Sequence, residues 1–136
     1  MHTMIASAVS AALAQASPIQ PAIEGRWINP DRTVIVDIAQ CENSLCGTVV
    51  WATEKAKQDA RKGAPTLVGT QLLTGLRPSG NDWRGKLFVP DRKVRVTAKI
   101  RLSGDRQLRV TGCTIGGLIC NAQVWTRADG PLPQKD

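Results

Sequence analysis

Ten consecutive residues, 94–103, alternate without a break. Val94, Val96, Ala98, Ile100 and Leu102 fall on one side; Arg95, Thr97, Lys99, Arg101 and Ser103 fall on the other. A period of two is a strand with one dry face and one wet face, and a helix cannot present it. The period recurs in shorter pieces. Residues 25–29 form a first strand, turned by Asn29-Pro30-Asp31, and 33–39 places Val34, Val36 and Ile38 on one face. Residues 45–52, 71–77, 83–89, 107–111 and 118–127 complete the series, with turns at Pro78-Ser79-Gly80-Asn81 and Pro90-Asp91. Leu102 and Leu108 must face the same side. Their pairing sets a three-residue loop, Gly104-Asp105-Arg106, and puts Arg101 opposite Arg109.

One helix is predicted between residues 53 and 62. Thr53 caps it, Glu54 sits at its positive end, Arg61 and Lys62 at its negative end, and Gly63 and Pro65 stop it. Only Ala56 and Ala60 are apolar within it, so it lies over an end or edge of the sheet. About eight short strands with tight turns form an antiparallel meander, and closing it removes exposed edges. The expected fold is all-β: a small up-and-down barrel of about eight strands with one short helix. A barrel of that size is filled by side chains or holds one small ligand.

The 136 residues allow one domain. Residues 4–16 are uncharged and Ala-rich and end in Ala14-Gln15-Ala16, an A-x-A cleavage pattern. Residues 1–16 therefore read as a signal peptide, 17–24 as a linker, 25–127 as the barrel and 128–136 as a disordered tail. The apolar run is too short for a stop-transfer helix, and no later segment is apolar enough to cross a membrane. A periplasmic or secreted protein is expected. Four cysteines in a short exported chain read as two disulfides. Three pairings are possible. Cys41–Cys46 and Cys113–Cys120 are favoured, because each staples a strand-turn-strand. A zinc site ranks below, since six residues separate Cys113 from Cys120.

The lone histidine is His2, inside the leader, and tyrosine is absent. Histidine-based triads, His-ligated metal and tyrosine acid catalysis drop out. No nucleophile elbow, P-loop or dinucleotide-binding glycine pattern occurs. No catalytic residue, metal site or cofactor is expected. Trp27, Trp51, Trp83 and Trp125 read mainly as core, with Trp51, Trp83 and Phe88 as candidate ligand contacts at a barrel mouth.

The formal charge of +7 is concentrated. Residues 84–109 hold nine basic and two acidic side chains, and the remainder is balanced. Arg95, Lys99, Arg101 and Arg109 share the outer face of one hairpin. They suit an anionic partner, or they keep a sheet surface solvated. No aromatic side chain interleaves with the basic residues of the long strand, and an exported protein meets no nucleic acid, so that partner is not expected.

Gly25-Arg26-Trp27, LCGTVVW at 45–51, LLTGL at 72–76, DWRGKLFVPDRK at 82–93 and GCTIGGLICNAQVWTR at 112–127 together resemble a bacterial family of small exported proteins, domain of unknown function 2147. The resemblance spans about residues 24–127. The G-x-W opening and the Trp-Thr-Arg ending are also similar to the calycin pattern of lipocalins and avidins. That likeness implies a calycin-like barrel whose end is closed by Arg127 stacking on Trp27. The family often carries Tyr near the positions of Phe88 and Val94, so this chain lacks those hydroxyls. The combined reading is a non-enzymatic envelope protein holding a small amphiphilic or anionic ligand. The alternative is a protein-interaction module, an inhibitor or assembly factor, acting through the basic hairpin at 84–109.

Overall fold

The computed structural model describes residues 22–114 and 117–133. Eight strands follow in order: β1 (Gly25–Ile28), β2 (Val34–Cys41), β3 (Ser44–Ala52), β4 (Gln71–Ser79), β5 (Asp82–Val89), β6 (Val94–Ser103), β7 (Gln107–Cys113) and β8 (Cys120–Arg127). Each pairs antiparallel with the next, and β8 returns to β1, closing the barrel. Helix α1 (Glu54–Ala60) lies between β3 and β4, and a single 3-10 turn (Pro90–Arg92) joins β5 to β6. The expected barrel is the observed one. The pairing Leu102↔Leu108 holds, with Arg101↔Arg109 beside it.

The alternation sorts the side chains as the sequence requires. Ile38, Val49, Leu73, Leu76, Ile100 and Leu108 are fully buried inside. Asn29 builds the first turn: its Oδ1 accepts from the Thr33 and Val34 amides at 2.8 and 2.9 Å. Thr53 caps α1, its hydroxyl accepting from the Ala56 amide at 3.1 Å. The helix is shorter than the sequence suggests, and Gly63 has a second duty. A Cβ there would lie 2.2 Å from the Pro90 carbonyl oxygen, so only glycine lets this connection pass the β5–β6 turn. Ala60, Ala64 and Leu67 are thereby buried against the barrel core.

The two ends of the barrel differ. One carries the chain entry and the β2–β3, β4–β5 and β6–β7 turns. Trp27 plugs it, fully buried, its indole donating to the Ile23 carbonyl at 2.9 Å. The Arg127 guanidinium lies 3.9 Å from the Trp27 ring centroid. It also donates to the carbonyls of Ala22, Glu24 and Asp105. Gly25 makes this possible. Its φ is +113°, and a Cβ would lie 2.7 Å from Arg127 Nη1.

The disulfides are Cys41–Cys46 and Cys113–Cys120, the favoured pairing. Each staples a hairpin. The segment read as a signal peptide, 1–16, and most of the 17–24 segment read as a linker lie outside the described residues. Ala22, Ile23 and Glu24 take part in the closed end. In the segment read as a tail, the Ala128 amide donates to Arg26 O at 2.9 Å, and Asp129 pairs with Arg106 at 3.0 Å.

Two outcomes test these features. Arg127→Ala should lower the unfolding free energy by about 2–4 kcal/mol in denaturant titration, from the lost stacking and charged hydrogen bonds. Arg127→Lys should recover little, because an ammonium cannot both stack and span the carbonyls. Reducing the disulfides should remove about 2 kcal/mol for each, the low value expected of loops spanning 5 and 7 residues. Equal melting temperatures with and without reductant would contradict a structural role.

Candidate functional site

The interior divides into a solid half and a hollow half. Near the closed end Trp27, Leu73, Leu76, Ile100 and Leu108 fill the space. Toward the other end, among the β1–β2, β5–β6 and β7–β8 turns, a cavity of about 690 Å³ opens. Its size falls within the roughly 300–1,000 Å³ usual for small-molecule sites. Its walls include Val34, Val36, Leu87, Val96, Val110 and Trp125.

The hollow follows from the residues. Gly112 on β7, opposite Ala98 on β6, lines the cavity without a side chain. A Cβ at Gly112 would already touch Val96 and Leu87 at 3.1 and 3.2 Å. On β8 the inward phase is polar. Gln123 is the partner of Val110, Asn121 of Gly112 and Trp125 of Leu108, so Asn121 and Gln123 share the inner face with Trp125. Gln123 Oε1 accepts from the Trp125 indole at 3.0 Å. Asn121 is exposed where the cavity opens. The β8–β1 seam contributes as well. It has just two residue pairs, Trp27↔Arg127 and Ile28↔Thr126. Cys120–Trp125 pair with β7 alone among the described residues, so the barrel parts above the closed end.

The aromatic candidates are not brought together. Phe88 borders the cavity, with the Arg95 guanidinium 4.9 Å from its ring centroid. Trp83 is opposite Ile100 and packs on the buried core, away from the cavity lining. Trp51 faces outward. Val49 is inward opposite Val36, so strict alternation would send Trp51 inward too. A bulge intervenes: Val36 pairs with Val49 but Ile35 pairs with Trp51, and Val50 is the extra residue. Trp51 therefore joins the outer-face row Ile28–Ile35–Trp51, in which Ile28 and Ile35 are themselves buried. Trp125, read from sequence simply as core, takes the lining position instead.

The basic residues form an outer surface. Register aligns Arg77, Arg84 and Lys99 in one row across β4, β5 and β6. Arg101 and Arg109 occupy another row. Asp82 is the acid that holds this face together. Arg101 Nε donates to Asp82 Oδ1 at 2.6 Å, and Lys99 lies 3.4 Å from Oδ2. Asp82 is 8% exposed. The Arg101 hydrogen bond, aided by the charges of Arg101 and Lys99, holds its carboxyl below the ordinary aspartate value, against the opposing push of desolvation. It relieves the like-charge pairing of Arg101 with Arg109.

Among the described residues no group of three or more His, Cys, Asp or Glu side chains comes together to hold a metal ion. No helix in that range is long and apolar enough to cross a membrane.

Residues 25–127 match the model of the family described as uncharacterized protein conserved in bacteria, DUF2147. The chain belongs to that family. No curated protein matches it significantly. Among solved structures it is similar to protein HP1028 from the human pathogen Helicobacter pylori, described as belonging to the lipocalin family. The TM-score is 0.59 and the identity 12%, over 78% of this chain and 82% of that one. At that identity the likeness concerns the fold alone. Within it, this DUF2147 member has the end-closing tryptophan–arginine pair that its sequence implied.

Asp82 gives a pH signature. Its pKa is lowered on folding, so its stabilisation is complete above the pKa of an unfolded aspartate, about 4, and is lost as pH falls through the lower folded value. Asp82→Asn should therefore lower the melting temperature at neutral pH. The gap to wild type should close on titration into the acid range. A gap independent of pH would contradict the assignment.

Proposed function

We propose that the chain is an exported, non-enzymatic binding protein that holds a small amphiphile in the open half of its barrel. The observation that carries this is the cavity: apolar walls from β2, β5, β6 and β7 facing a strand whose inward positions are Asn121, Gln123 and Trp125. An alkyl or other apolar body gains by leaving water for the valine-lined wall. A polar end remains beside Asn121 and Gln123, whose amides donate and accept without charge. Arg92 and Asp91 also border the opening, so the charged end of an amphiphile can be met there while its apolar body lies on the wall. Two disulfides are compatible with an oxidising compartment.

The alternative reading as a protein-interaction module has less support. Of its four named side chains, Lys99 and Arg101 are engaged by Asp82 and Arg95 stacks over Phe88, leaving Arg109.

Titration with fatty acids, lysophospholipids and phospholipids, followed by tryptophan fluorescence, tests the reading. A saturable change is expected for at least one of them. Trp125→Phe should remove most of it and Trp51→Phe should leave it intact, since Trp51 is on the outer wall. A flat response across all of them would overturn the proposal.

A further inference from the structure

The mouth of the barrel has a surface unlike the rest of the molecule. The β7–β8 turn presents Leu118, 87% exposed, and Ile119, 63% exposed. Two large aliphatic side chains side by side in water carry a standing cost, and such exposure marks an interaction site. The described ends of that turn are tied together. The Cys113–Cys120 disulfide closes its base, and the Thr114 amide donates to the Ile119 carbonyl at 2.9 Å. Val94, at the start of β6 on the same rim, is 42% exposed.

Beside these apolar residues stands a basic cluster. Arg92, Lys93 and Arg95 are exposed on and just after the β5–β6 turn, with Asp91 as the acid among them. Gly63 packs α1 and its following turn against Pro90, which brings Arg61 and Lys62, both exposed, to the same end. Among the described residues Arg61, Lys62, Arg92 and Lys93 are in no ion pair, whereas Lys55 and Lys57 pair within α1 and Lys99 and Arg101 pair with Asp82. Aliphatic tips flanked by uncommitted cations are complementary to a bilayer with anionic headgroups: the tips enter the interface and the cations meet the phosphates. A folded protein partner would be met equally well by the basic outer wall of β4–β7, which apart from Val94 at its rim lacks exposed aliphatic tips.

We infer that the barrel docks mouth-first on an anionic phospholipid surface through Leu118, Ile119 and Val94 together with Arg92 and Lys93. The cavity then opens against the bilayer, so an amphiphile can pass between them without crossing water. The docking geometry goes beyond the amphiphile reading, and that reading supplies its purpose alone.

Co-sedimentation with vesicles tests it, comparing phosphatidylcholine alone with phosphatidylcholine mixed with phosphatidylglycerol. Wild type should bind the mixed vesicles, and binding should weaken as salt rises. The double variants Leu118→Asp with Ile119→Asp, and Arg92→Glu with Lys93→Glu, should each lose about tenfold or more in vesicle affinity. Reversing the sheet face with Arg77→Glu, Arg84→Glu and Arg109→Glu should cost less than either. Leu118→Trp keeps the rim apolar and reports directly: its emission should shift to the blue on mixed vesicles. Asn121→Trp fills the cavity entrance and should abolish amphiphile binding while leaving vesicle binding intact, so the two readings can fail separately. No binding of wild type to mixed vesicles would overturn the inference. So would rim variants that bind as wild type does, or a larger loss from the sheet-face variant.

Discussion

The barrel depends on Arg127. Strands β1 and β8 meet in just two residue pairs, extended by the Ala128 amide bond to Arg26 O, the shortest seam of the barrel. The last residue of β8 reinforces it. Its guanidinium covers the Trp27 ring and binds carbonyls from the segment before β1 and from the β6–β7 turn, so one side chain ties three parts of the chain together. A planar cation suits that position, because it can stack and donate along its edge at once. Gly25 is the matching concession: its positive φ and missing Cβ leave room for the guanidinium.

Fixing one end firmly is what allows the other to stay open. The closed half is packed with Trp27, Leu73, Leu76, Ile100 and Leu108, all without measurable exposure, and that half supplies the stability. Above it the seam parts, Gly112 withholds a side chain, and β8 turns amides inward. Each feature weakens packing locally, and together they make a cavity. A barrel whose stability and hollow lie at opposite ends can exchange a ligand without breathing at the closure.

Much of this was legible in the chain. The two-residue period in 94–103 gave the strand, its faces and the hairpin register, because a one-residue slip would have moved Ile100 and Leu108 into water. Cysteine spacing gave both disulfides, and the likeness to the calycin pattern gave Arg127 over Trp27. The site was harder to read. Alternation from Val49 puts Trp51 inside, and the bulge at Val50 reverses it; no residue type in VVW announces that bulge. Asp82 carries no local signal of its role, since its partners Arg101 and Lys99 arrive from β6. Gln123 and Asn121 did carry a signal. Once Trp125 is placed inward, a period of two puts both amides beside it, and polar inward positions on a barrel strand mean a wetted lining.

On this reading the open half of the barrel, and not its outer faces, receives the apolar part of a ligand. Methyl NMR with a spin-labelled fatty acid addresses it most directly. Selective broadening of the Val34, Val96 and Val110 methyls is expected, with Leu73, Leu76 and the exposed, outward Val124 unaffected. Broadening centred on Val124, or spread evenly over the surface, would contradict it.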